Sequence, residues 1–115
     1  MSLYAIWIDR QEAKLFEFTR EKMERSQIHA RNPEHHGVNE HKFYAEVASH
    51  LAGADQILIL GPGVAKHHFQ NHLMEQIPHL AKKIVACETV DQPTDAQIGA
   101  LARKFFRMGY SPARS

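Results

Sequence analysis

The sequence predicts an α/β domain built on a mixed five-stranded sheet with helices on both faces. Three segments near the N-terminus have the pattern of strands and are joined by connections of only two residues each. Two later apolar segments alternate with helical patterns, and the first strand is apolar on both faces. Short connections predict antiparallel strands, whereas strands separated by helices become parallel neighbours through right-handed crossovers. The first strand is therefore expected at the centre of the sheet, between the early and the late strands.

The elements follow in the order βββαβαβα. Bulky side chains indicate strands at 3–9 and 12–19, and a short apolar run indicates a buried strand at 56–60. Apolar residues at helical spacing predict helices between an N-cap at Asn39 and a stop at Gly53, and from 64 to 77. The last helix opens on a Thr94–Gln97 capping box, buries Ile98, Leu101, Ala102 and Phe105, and closes at Gly109. The remaining strands are predicted at 22–30 and 83–88. This order is typical of ribonuclease-H-like folds; a doubly wound flavodoxin-like order fits worse, because no helix separates the first three strands.

Length and composition predict one domain, at 1–110, followed by a short tail at 111–115. The 115 residues suit a single domain, and no apolar run approaches the roughly 20 residues that cross a bilayer. We therefore expect no membrane association, and with no targeting segment and Cys87 as the only cysteine, a cytoplasmic location. The polar third strand suits a sheet edge defended by charge, and a homodimer that pairs through this edge is possible.

Two charged or turn-forming segments are candidates for anion contact. The stretch 103–114 carries four cations and no carboxylate, so Arg103, Lys104 and Arg107 are candidates for phosphate contact, although cations also favour helix C-termini. Gly61, Pro62 and Gly63 separate a buried strand from a helix N-terminus, where backbone N–H groups can hold an anion. Lys66 would strengthen such a site if it folds back, but a plain tight turn is the simpler interpretation, because Pro62 lacks an N–H.

Nine histidines and Asp9 raise a second, hydrolytic hypothesis. His68 and His72 are four residues apart on one helix, with His79 beyond, and His35, His36 and His41 form another group. A ribonuclease-H-like nuclease would use converging carboxylates on two metal ions, and Asp9 and Glu46 suit two positions. The third position holds Gly61, and Asp55 lies at the other end of that strand, about 17 Å away. Asp9 is otherwise a turn residue, and unliganded surface histidines remain the simpler interpretation.

Three runs resemble the middle domain of Pelota and of archaeal and eukaryotic class-1 release factors. They are 5–18 (AIWIDRQEAKLFEF), 41–51 (HKFYAEVASHL) and 57–73 (ILILGPGVAKHHFQNHL), and the likeness spans 3–106. The resemblance implies a translation connection and the ribonuclease-H-like fold. Release factors of this family hydrolyse peptidyl-tRNA through a Gly-Gly-Gln loop between the third strand and the first helix.

That loop reads NPEHHGVNEH in this chain, with one glycine and no glutamine. The resemblance therefore implies a stand-alone relative that binds ribosome or tRNA without catalysis and without a cofactor. His35, His36, Gly37 and His41 would occupy the place of the loop that approaches the tRNA acceptor end. The alternative is a metal-dependent hydrolase that uses histidines and Asp9.

Overall fold

A computed structural model of the chain describes residues 2–19, 22–30 and 38–109; at 38–39 and 107–109 only the backbone is described. The predicted tail at 111–115 lies outside these residues. The elements in chain order are β1 (Leu3–Ile8), β2 (Glu12–Phe18), β3 (Met23–His29), α1 (Val38–Ser49), β4 (Gln56–Gly61), α2 (Ala65–Gln76), α3 (Pro78–Ala81), β5 (Ile84–Thr89) and α4 (Asp95–Gly109).

The five strands form one mixed sheet in the order β3-β2-β1-β4-β5. β1 and β2 pair antiparallel, with Leu3 opposite Phe18, and β2 pairs antiparallel with β3. β4 joins the other side of β1 in parallel, and β5 follows it in parallel. The predicted fold class and the central position of β1 are confirmed, and the antiparallel meander of β1, β2 and β3 excludes the flavodoxin-like order.

Helices cover both faces of the sheet, as predicted. On one face Ile6, Ile8 and Ile59 pack against α1, α2 and α3. On the other face, Ala5 and Trp7 belong to a second buried cluster together with α4. The Trp7 indole N–H also donates to the backbone oxygens of Val90 (3.2 Å) and Asp91 (3.0 Å). Because β1 contributes to both clusters, it is the structural centre of the fold.

The Thr94 capping box forms as predicted. The Gln97 side chain accepts a hydrogen bond from the Thr94 backbone N–H at 2.8 Å, and the Gln97 N–H reaches the Thr94 hydroxyl at 3.1 Å. α4 then buries Ile98, Ala102 and Phe106. Leu101 and Phe105, which were also predicted as buried, are half-buried and pack against the same cluster, and the full burial of Phe106 was not predicted.

Two other helix boundaries differ from the sequence prediction. α1 begins at Val38 and ends at Ser49, so Asn39 lies inside its first turn instead of capping it. Gly53 lies beyond the helix, at a φ of 83°, in the turn that Ala54 closes by donating to the Leu51 oxygen. Pro78 ends α2 as expected and also begins the short α3, which was not predicted.

The outer strand β3 is polar and exposed. Ile28 is its only buried residue, as expected for an edge strand that charged side chains protect from further pairing. A homodimer through this edge stays a prediction. Across the described residues, every helix is too short or too polar to cross a membrane.

Candidate functional site

The ends of β1 and β4 form one edge of the sheet together with two turns. We call it the carboxyl edge, because the parallel strands β1, β4 and β5 all end there, and ligands of open α/β sheets bind outside this edge. A cavity of about 420 Å³ opens between the two turns. Its lining residues come from the β1–β2 turn and the start of α2: Asp9, Arg10, Gln11, Pro62, Gly63, Val64 and Ala65.

Asp9 closes the first of these turns. Its Oδ1 accepts hydrogen bonds from the backbone N–H groups of Gln11 (2.8 Å) and Glu12 (2.9 Å). This is the local bonding that makes aspartate a turn residue. The Asp9 carboxylate therefore stabilises the β1–β2 turn, as the simpler interpretation predicted.

Gly61 ends β4 at a point where the backbones of β4 and β1 approach closely. A Cβ atom built on Gly61 would overlap the backbone oxygen of Ile8, so any side chain at this position requires the backbone to move. The carboxylate that a nuclease would need at this third position is therefore missing, and the close approach of the Ile8 backbone leaves no room for its side chain.

Lys66 folds back onto the Gly61–Gly63 turn. Its ammonium donates to the backbone oxygen of Gly63 at 2.5 Å, and the residue is only 3% exposed. Lys66 therefore stabilises the turn from within, and its contact with a bound anion stays a prediction. Val64 precedes α2 without a side-chain cap and is 58% exposed.

A cluster of polar and aromatic side chains joins α1 to α2. The His41 and His72 rings lie 4.8 Å apart, and Tyr44 lies 6.0 Å from His72. Glu40 accepts a hydrogen bond from the Tyr44 hydroxyl (3.3 Å) and lies 3.7 Å from the His68 Nδ1. Burial and the Glu40 carboxylate raise the pKa of Tyr44, so its hydroxyl stays protonated. We call these five residues the α1–α2 cluster.

Sequence reasoning found the histidines of this cluster but missed Tyr44 and Glu40. Their spacing of four residues on α1 was the available signal, because such residues share a helix face. His68 and His72 both turn towards α1, as their spacing predicted, while His79 is exposed on α3. Among the described residues, no three histidine, cysteine or carboxylate side chains are arranged to hold a metal ion.

Burial of His72 is expected to make the stability of the fold depend on pH. It is 7% exposed, and burial, followed by the neighbouring His41, lowers its pKa from the ordinary value of 6.5. Below pH 6.5 the unfolded chain therefore protonates His72 more readily than the folded chain does. The contribution of neutral His72 to the free energy of unfolding is complete above pH 6.5 and decreases as the pH falls towards the lowered pKa.

We expect His72→Phe to weaken this acid dependence, because phenylalanine fills the same space without titrating. Urea unfolding at pH 7.5 and 5.5 gives the two free-energy differences to compare. His79→Phe, at an exposed histidine, should keep the wild-type dependence. Equal acid dependence in wild type and His72→Phe would contradict the assignment.

The histidine-rich loop lies outside the described residues at His35, His36 and Gly37, but its flanks are described. The Ala30 N–H after β3 donates to the Gln11 oxygen at 2.7 Å, which places the start of the loop beside the Asp9 turn. The loop leads into α1, where Glu40 lies beside His68 near the start of α2. Its two ends therefore flank the carboxyl edge, together with His41.

The basic residues of α4 are not brought together with this edge. Arg103 and Lys104 are exposed on α4, which packs against the face of the sheet opposite α1 and α2. Arg107 lies further along the same helix. The predicted binding residues thus divide into two separate surfaces.

The fold is similar to that of solved translation factors. Pelota from Archaeoglobus fulgidus superposes with a TM-score of 0.68 at 20% identity, over 90% of this chain and 31% of that one. The archaeal translation termination factor aRF1 matches with a TM-score of 0.60 at 16% identity, over 99% and 42%. Saccharomyces cerevisiae Dom34 matches with a TM-score of 0.56 at 11% identity, over 93% and 38%.

The chain shares its fold with part of Pelota. It spans between 31% and 42% of the length of these solved structures. The predicted resemblance to the Pelota and release-factor middle domain is thereby confirmed in the fold. Sequence comparison matches no protein-family model and no curated protein.

Proposed function

We propose that the protein is a translation-related accessory factor that binds the ribosome or tRNA and does not hydrolyse peptidyl-tRNA. The observation that carries the proposal is the fold likeness to Pelota and to a translation termination factor over at least 90% of the chain. Dom34, a further match, is described as a termination-like factor in RNA quality control that interacts with Hbs1. A cytoplasmic location belongs to the same proposal.

The sequence of the loop before α1 supports a binding role over a hydrolytic one. Its single glycine and missing glutamine remove the residues that the family resemblance associates with hydrolysis. His35, His36 and His41 are instead proposed to contact the ligand at the carboxyl edge, next to the Gly61–Gly63 turn. The cations of α4, Arg103, Lys104 and Arg107, are proposed to contribute phosphate contacts.

Co-sedimentation with ribosomes tests the proposal. In a cell extract at about 50 mM salt we expect the protein in the ribosomal pellet, and at several hundred millimolar we expect its release, because phosphate contacts weaken with salt. The variant His35→Ala/His36→Ala should bind less, whereas His50→Ala/His79→Ala, at two exposed histidines elsewhere, should sediment like the wild type. A wild-type protein found wholly in the ribosome-free fraction at low salt would refute the function.

A further inference from the structure

The edge of the sheet opposite the carboxyl edge is rich in exposed cations. We call it the amino edge, because β1, β4 and β5 begin there. Lys82 and Lys83 immediately precede β5, and Arg103 and Lys104 lie in the C-terminal half of α4. All four residues are exposed.

The hydrogen bonds and packing bring these cations to one side of the molecule. The Lys83 oxygen accepts from the Ile57 N–H at 2.9 Å, which fixes Lys83 beside the start of β4. Phe106, near the end of α4, lies 6.1 Å from Phe18, and Phe18 pairs with Leu3 at the start of β1. Since β5 and β1 are two strand spacings apart, about 10 Å, the two pairs of cations lie within reach of one polyanionic strand.

The charge of this edge is not neutralised by its carboxylates. Within the described part of the chain, none of the four cations forms an ion pair. Of the nearby carboxylates, Glu24 pairs with Lys22 at 3.0 Å. Asp55 and Glu17 accept hydrogen bonds from neutral groups, the Ser2 N–H (2.7 Å) and the Tyr4 hydroxyl, and so keep their negative charge. Among the described residues, the four exposed cations therefore outnumber the carboxylates that remain unpaired at this edge, and the amino edge has an excess of positive charge although the whole chain carries only +1.

The carboxyl edge has the opposite character. Asp9, Glu12 and Glu40 lie on it or close to it, against one exposed cation, Arg10, in the cavity lining; Lys66 is buried under the turn. A phosphate backbone approaching this edge would meet carboxylates, whereas the amino edge attracts it.

We propose that the amino edge, through Lys82, Lys83, Arg103 and Lys104, is the surface that contacts RNA phosphates. The inference rests on the proposed function and deepens it. It places the phosphate contacts at the amino edge and the histidine loop at the carboxyl edge, on the opposite side of the domain. Lys82 and Lys83 were not among the binding residues that the sequence suggested. Lys82 and Lys83 directly follow α3, where cations are favoured for structural reasons, so the test has to separate binding from stability.

The binding of bulk tRNA, measured by fluorescence anisotropy from 25 to about 300 mM salt, makes this separation. The variants are Lys82→Gln/Lys83→Gln and Arg103→Gln/Lys104→Gln. The matched control is Lys14→Gln/Lys42→Gln, which removes the same charge away from the amino edge; Lys14 lies over the Trp7 ring and Lys42 on α1. Melting temperatures are recorded for all proteins.

For each amino-edge variant we expect about tenfold or greater weakening at low salt. The slope of log affinity against log salt should fall by about two, one unit for each lost phosphate contact. The control should keep the wild-type slope. Wild-type slopes in both amino-edge variants, with or without a lower melting temperature, would overturn the inference and leave the proposed function standing. Failure of the wild type to bind tRNA and ribosomes would refute both.

Discussion

Gly61→Ala is expected to lower the free energy of unfolding by about 3 kcal/mol, because overpacking against an immovable neighbour costs about this much. The new methyl group would overlap the backbone oxygen of Ile8. A flexible side chain can turn aside, whereas the β1 backbone is held by β-sheet hydrogen bonds on both sides and has little freedom to do so. Urea unfolding followed by circular dichroism measures the change.

Gly63→Ala is the matched control, only two residues along the same turn. A Cβ atom at Gly63 meets nothing within 4 Å, and the residue does not need a left-handed backbone. We expect a change within about 0.5 kcal/mol. Equal losses in the two variants would mean that the turn itself needs glycine, and would contradict the close approach of β1 and β4.

Gly61 illustrates which features the sequence could predict and which it could not. The sequence showed that a carboxylate was missing where a nuclease would need one, but not that the space for one was missing too. That follows only from the parallel pairing of β1 and β4, which brings the ends of both strands together.

The sheet was predictable because its strands carry local signals. β1 is apolar on both sides, β4 is a continuous apolar run, and the connections around β2 are too short for a crossover. These features determine neighbours and direction without knowledge of the packing. The Thr94 capping box was predictable for the same reason, since both partners lie within one turn.

The environment of each polar site residue was not predictable in this way. Lys66 and His72 are polar residues on a helix, yet both are buried, because α1 and the Gly61–Gly63 turn cover them. The full burial of Phe106, with Phe105 only half-buried, depends on the rotation of α4, which its packing against Phe18 and β1 determines. Such features arise from elements that are distant in sequence.

Phe69→Ala is expected to destabilise the protein by about 3–5 kcal/mol, the range for removing a buried phenylalanine. Phe69 is 0% exposed and lies 5.8 Å from the Tyr44 ring, so it holds α2 against both the sheet and α1. Met74→Ala on the same helix removes a side chain that is 53% exposed, and should change stability by less than about 1 kcal/mol. Phe69→Leu should recover part of the loss by refilling the cavity.

The same variants test whether the α1–α2 cluster depends on this anchor. If Phe69 holds the two helices together, Phe69→Leu should also disturb the environment of His72, which NMR of the imidazole resonances reports as a pKa closer to the ordinary value. Met74→Ala should leave that pKa lowered. An unchanged His72 pKa in Phe69→Leu would mean that the contact with His41 and Tyr44 alone keeps His72 buried, and that the α1–α2 cluster keeps its arrangement when the underlying core is weakened.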